Sequence, residues 1–98
     1  MTNSFNVLVE EDRRLTILQL LAESPGYRAN QFLLQSALET FGHSVSMDRL
    51  KVDIAWLADQ GLASAESTGG VQVPVITSRG LDVAQGRASV PGVKKPRP

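Results

Sequence analysis

Ser46, Met47, Arg49, Lys51 and Val52 fall within one short segment, and their types suit contact with double-stranded DNA. An arginine forks onto guanine, a serine hydroxyl reaches a phosphate or a base edge, and the apolar tips of Met and Val fit a thymine methyl group. Arg79 and the cluster Lys94, Lys95 and Arg97 add cations of the kind that neutralise phosphates. Each residue also has a plainer use. Arg49 and Asp53, four apart, suit a surface ion pair on a solvated helix, worth about 0.2–0.5 kcal/mol. Trp56, the one tryptophan, suits packing beneath a hairpin or a fourth helix. With Val52 it also suits a protein-contact patch, because Trp is a favoured interface anchor. Arg13 and Arg14 follow Glu10, Glu11 and Asp12 and are expected to form local pairs; His43, alone in a turn, is expected at the surface.

Catalytic chemistry finds no foothold. No nucleophile–base pair, phosphate loop or metal-ligand spacing occurs. With no cysteine and a single histidine, a metal site is not expected, nor is a cofactor. The expectation is a protein that binds and does not catalyse.

Three helices and a hairpin are needed to position these residues. Leu50, Ile54 and Leu57 recur at i, i+4 and i+7, which predicts a helix over about 46–60. Ser46 suits its N-cap, Asp48 its first turn and Gly61 its stop. Leu8, Leu15, Leu18 and Leu21 predict a first helix from about Val7 to Glu23, after frayed residues 1–6, ended by Ser24-Pro25-Gly26. Asn30 suits the cap of a second helix carrying Phe32, Leu33, Leu34, Ala37, Leu38 and Phe41 and ended by Gly42. Leu62 to Glu66 reads as a strand, Ser67 to Gly70 as a turn and Val71 to Ile76 as the returning strand, with Pro74 marking an edge. Thr77 or Ser78 caps a short last helix that Gly86 ends. The fold class is mainly α with a small β-hairpin: a winged helix-turn-helix with a three-helix core, a two-stranded wing and a short C-terminal helix. One domain is expected over 1–88, followed by a basic disordered tail over 89–98.

A net charge of zero hides a division. Residues 1–88 carry −3 and the last ten, SVPGVKKPRP, carry +3. An acidic body is poorly suited to phosphate, and the turn Ser67 to Gly70 has no Lys or Arg with which to grip a minor groove. No apolar run reaches the roughly 18 residues of a membrane span. The N-terminus lacks the basic start of a signal peptide, so the expected location is the cytoplasm, with no membrane partner.

Two segments carry a resemblance. DIAWLADQGL (Asp53 to Leu62) resembles the end of a recognition helix leading into a wing, and VITSRGLDVAQG (Val75 to Gly86) resembles the exit from the wing into the next helix. Over residues 7–88 the chain resembles ArsR-like winged-helix transcriptional regulators, above all the small type carried by Mu-like prophages of Gram-negative bacteria, whose ends are similar to VPGVKKPRP. That resemblance implies a phage-related DNA-binding regulator with 46–60 as recognition helix. Metal sensing does not carry over, since the cysteine clusters of metal-sensing members are missing. A monomer contacting three or four base pairs binds weakly, so a homodimer is expected with DNA. The acidic helix and uncharged wing leave a second expectation open: a winged-helix module that contacts a phage protein in assembly or packaging without reading DNA sequence.

Overall fold

Helix α1 starts at Asn3 and runs to Glu23 in the computed structural model, which describes residues 3–97. Residues 3–6 are therefore helical, not frayed as the sequence suggests; residues 1 and 2 lie outside the described residues. Ser24 ends α1, its hydroxyl donating to the Leu20 carbonyl at 2.7 Å, and a single 3-10 turn over Pro25–Tyr27 follows.

Helix α2 (Gln31–Thr40) is capped as expected: the Asn30 side chain accepts from the Leu33 N–H at 2.8 Å. Helix α3 (Met47–Asp59) is capped by Ser46, whose hydroxyl accepts from the Arg49 N–H at 3.1 Å. Each cap satisfies one of the N–H groups that a helix start leaves without an intrahelical partner. The inward side of α3 is the expected stripe: Leu50, Ile54 and Leu57 are buried with Leu18, Leu21, Leu34 and Leu38 in one core.

The hairpin is built from four short strand segments, β1 (Ala63–Ser64), β2 (Ser67–Thr68), β3 (Val71–Gln72) and β4 (Val75–Ile76). Ala63 faces Ile76 and Ser64 faces Val75, while Ser67 faces Gln72 and Thr68 faces Val71. All four pairs share one antiparallel register. The ladder is interrupted in its middle because Pro74 has no N–H to give; the Val73 N–H still donates to the Glu66 carbonyl at 2.7 Å. Gly69 and Gly70 close the hairpin with φ of 57° and 81°, the pair of positive values that a tight two-residue turn requires and glycine adopts without strain. Arg28 adds an isolated bridge to Val75, and Gln31 accepts from the Gln72 N–H at 2.8 Å, so the start of α2 holds the returning strand.

Thr77 caps the last helix, α4 (Ser78–Ala84), by accepting from the Gly80 N–H at 3.0 Å, and its hydroxyl donates back to the Gly61 carbonyl at 2.8 Å. One side chain thereby fixes the end of α3 to the start of α4. Gly80 lies so close to the hairpin that an added Cβ would stand 2.1 Å from the Leu62 carbonyl oxygen.

The tail departs most from expectation. Residues 89–97 are not a disordered appendage: Val90 and Val93 are buried in the core cluster, and the Lys94 N–H donates to the Glu11 carbonyl at 3.2 Å. Apolar burial of two valines outweighs the Pro- and Lys-rich composition around them. The fold as a whole is mainly helical with one small antiparallel hairpin. Among the described residues no helix is long and apolar enough to cross a membrane.

Candidate functional site

Helix α3 has two sides with different chemistry. Its outward stripe is Asp48, Val52, Ala55 and Asp59, all exposed, with Val52 showing 56% of its surface. These recur at three- and four-residue spacing, so they share one face of the helix. The centre of that face is small and apolar, each end carries a carboxylate, and no cation stands on it. Arg49 and Lys51 lie on its two flanks.

The candidate DNA contacts are distributed unevenly around this face. Ser46 is exposed, but its hydroxyl is engaged as the cap of α3. Met47 packs against the core. The Arg49 guanidinium is held by Glu10 of α1 and not, as expected, by Asp53. Lys51 is half-buried and Arg79 exposed, and neither pairs with a carboxylate among the described residues. Lys94 reaches Asp12 at 3.4 Å. Lys95 and Arg97 line shallow grooves with Asp12, Leu15 and Gln19 of α1 and with Gln85 and Gly86, and with no residue of α3. The tail cations and the α3 candidates therefore do not form one surface.

The inward flank of α3 holds a cluster that the sequence reading placed at the surface. Asp53 is completely buried, and Arg13 of α1 grips it, with Nε 2.5 Å from Oδ2 and Nη2 3.4 Å from Oδ1. A charge taken out of water needs such a partner, since each desolvated ion alone costs several kcal/mol. Arg14 stands beside them, its Nε 3.9 Å from Asp53 Oδ1 and without a hydrogen-bond partner of its own. Its guanidinium carbon lies 4.2 Å from the Trp56 ring centroid, where the ring quadrupole attracts it, and its Nη1 donates to the Gly92 carbonyl at 3.0 Å. Arg14 also approaches Glu10 at 3.8 Å, the local pair expected for it; Arg13 instead spans forty positions of sequence.

Trp56, expected to share a contact patch with Val52, is partly buried and packs against the core, whereas Val52 is exposed. Gly92 rests on its ring: an added Cβ there would meet Cζ2 at 2.6 Å, and Gly92 has φ of 100°, which a side chain tolerates poorly. The tail, which the sequence suggests is disordered, thus lies against the ring that the sequence places beneath the hairpin or the fourth helix.

His43 is also drawn inward. Its side chain is largely buried and its Nε2 lies 2.7 Å from Asp12 Oδ2. Asp12 thus joins the α2–α3 connection and the tail to α1. Burial pushes the Asp12 carboxyl up, but hydrogen bonds from His43 and Lys94, with the charges behind them, together hold it below its ordinary value. Among the described residues no group of three His, Cys, Asp or Glu side chains could hold a metal ion.

The sequence has relatives along nearly its whole length. It is 48% identical over 93 residues to the uncharacterized protein gp26 of Escherichia phage Mu, covering 95% of this chain and 96% of that protein. The chain belongs to the phage Mu gp26 family. A second member, an uncharacterized protein of Haemophilus influenzae, is 38% identical over 79 residues, covering 80% of this chain and 76% of its own length. No family model and no solved structure matches the chain. The gp26-family match takes in the buried ion-pair cluster, α3 and the hairpin together, since it omits only a few residues of the chain.

Proposed function

We propose that this gp26-family protein is a winged-helix module that works by contacting a partner protein through the outward face of α3, in phage assembly or DNA packaging, with no catalytic step and no reading of DNA sequence. The observation that carries this reading is the makeup of that face: Asp48, Val52, Ala55 and Asp59 point outward, while the one arginine beside them is bound to Glu10. A phosphate backbone approaching the helix would meet two carboxylates and a turn, Ser67 to Gly70, without positive charge. A partner surface with a small apolar centre and flanking cations would meet complementary chemistry. The helix–helix–helix–hairpin–helix order supports the winged-helix assignment.

A photo-cross-linking residue in place of Val52 tests this reading. The expected product in cells carrying the phage functions is a discrete protein–protein adduct, lost when Asp48 and Asp59 are both changed to Lys. A nucleic-acid adduct would overturn it.

The second reading is a cytoplasmic DNA-binding transcriptional regulator of the ArsR-like type. One observation favours it: Lys51, Arg79, Lys95 and Arg97 pair with no carboxylate among the described residues. It predicts saturable, sequence-selective duplex binding that weakens as salt rises and that Lys51→Ala abolishes. Binding without sequence preference, removed by Lys95→Ala and Arg97→Ala together, would leave the protein-contact reading intact.

A further inference from the structure

An apolar surface and a groove of mixed polarity remain uncovered at opposite ends of α1. At its start, Phe5 is 72% exposed and Leu8 61%, and Val7 is exposed on the other side of the helix. Residues 4–8 are all exposed, so this part of α1 projects beyond the body as an arm. A helical arm that is apolar on more than one side suits a groove better than a flat face. Toward the other end, Thr16, Gln19, Leu20 and Glu23 form the floor of a groove of about 380 Å³ walled by Phe41, Ala84 and Gln85. A second groove shares Leu20 and Glu23 and continues along α2 past Leu33 and Ala37. Leu33 is 57% exposed and Phe41 62%.

The arm and the groove floor lie on the same side of one helix. Phe5, Leu8, Asp12, Thr16, Gln19 and Glu23 are separated by steps of three or four residues, one continuous stripe. When two such helices lie antiparallel about a two-fold axis near residue 14, Phe5 meets Glu23 of the second copy, Leu8 meets Leu20, and Asp12 meets Thr16. Leu8 then lies over Leu20 between the Phe41 and Ala84 walls of a groove of mixed polarity, Phe5 reaches Glu23, and polar side chains face each other at the centre, where Asp12 also holds His43 and Lys94. The Glu23 carboxylate also comes to the start of the opposing α1, where the helix dipole is positive.

We infer that two copies of this chain associate by exchanging arms, each inserting Phe5 and Leu8 into the groove between α1, α2 and α4 of the other. The area is sufficient. At ~150–250 Å² per large side chain, Phe5, Leu8, Leu33 and Phe41 expose on the order of 450 Å² of apolar surface per chain. Reciprocal burial removes about twice that, close to the apolar share of a standard interface of about 1,600 Å². The contact is closed and isologous, so it ends at two copies. It uses no residue of the outward face of α3 and stands or falls independently of the function proposed above.

Because the chain has no cysteine, directed cross-linking tests the register. The full chain is made as Leu8→Cys and, separately, as Leu20→Cys, and the two are mixed and oxidised. The expected result is a disulfide-linked pair in the mixture and none from Leu8→Cys alone. Light scattering over a dilution series is expected to show a dimer for the wild type. A monomer is expected for Phe5→Asp/Leu8→Asp and for Leu33→Asp/Phe41→Asp, with helical circular dichroism unchanged. A wild type that stays monomeric at millimolar concentration, a variant pair that stays dimeric, or cross-linking of Leu8→Cys to itself would overturn the inference.

Discussion

The two sides of α3 spend the same residue type differently. On the inward flank, Asp53 is buried and clamped by Arg13, and the pair joins α3 to α1. On the outward side, Asp48 and Asp59 stand in water with no cation partner among the described residues, around the exposed Val52. A carboxylate in the first place is part of the scaffold, and in the second it is a label on the surface. Residue type therefore does not assign a role on this helix; the helical angle does. It also explains why helix α3 is both well anchored and poorly suited to phosphate.

Substitutions on the two sides should therefore separate by size of effect. The largest change is expected for Asp53→Ala, which leaves Arg13 and Arg14 buried without their shared anion. Loss of about 3–5 kcal/mol is expected, read by urea unfolding. A loss under about 1 kcal/mol would place Asp53 with the surface acids and dissolve the contrast. Next is Gly92→Ala, which drives a Cβ into the Trp56 ring at a positive φ. A cost of about 1–3 kcal/mol is expected, with a change in Trp56 fluorescence as the tail lifts. Unchanged emission would show that the tail does not cover the ring.

Acid should act on the same contact. The Asp12 carboxyl is held below its ordinary value in the folded chain, so its contribution is present above the ordinary carboxylate range and is lost as pH falls through the lowered value. The tail contact through Lys94 and the His43 contact should loosen there together, read as a Trp56 fluorescence transition that Asp12→Asn removes. On the outward side, Asp48→Ala and Val52→Ser should each change stability by less than about 0.5 kcal/mol, since surface positions without buried partners tolerate change.

Much of the scaffold was legible in the sequence, because local rules fix it. Ser46, Asn30 and Thr77 cap where side-chain oxygens precede apolar periodicity, and Gly69-Gly70 closes a two-residue turn. What escaped was long-range. Asp53 is three residues after Leu50 and four before Leu57, a position inside the apolar stripe, and that spacing was the available signal for its burial. The partner that makes burial tolerable, Arg13, is set by how α1 crosses α3, which no local pattern encodes. The same holds for Glu10 and Arg49. The tail was misread because Pro, Gly and Lys suggest disorder, although Val90 and Val93 offered two apolar anchors three residues apart.

On the proposed function, the outward face of α3 contacts protein and does not read DNA. Titrating short duplex DNA into isotope-labelled full-length protein, and following the backbone amide resonances by NMR, tests it residue by residue. Residues 46–59 are expected to stay unmoved, and any shifts are expected on Lys95, Arg97 and their neighbours in α1. Saturable shifts concentrated on Ser46, Arg49, Lys51 and Val52 would contradict it.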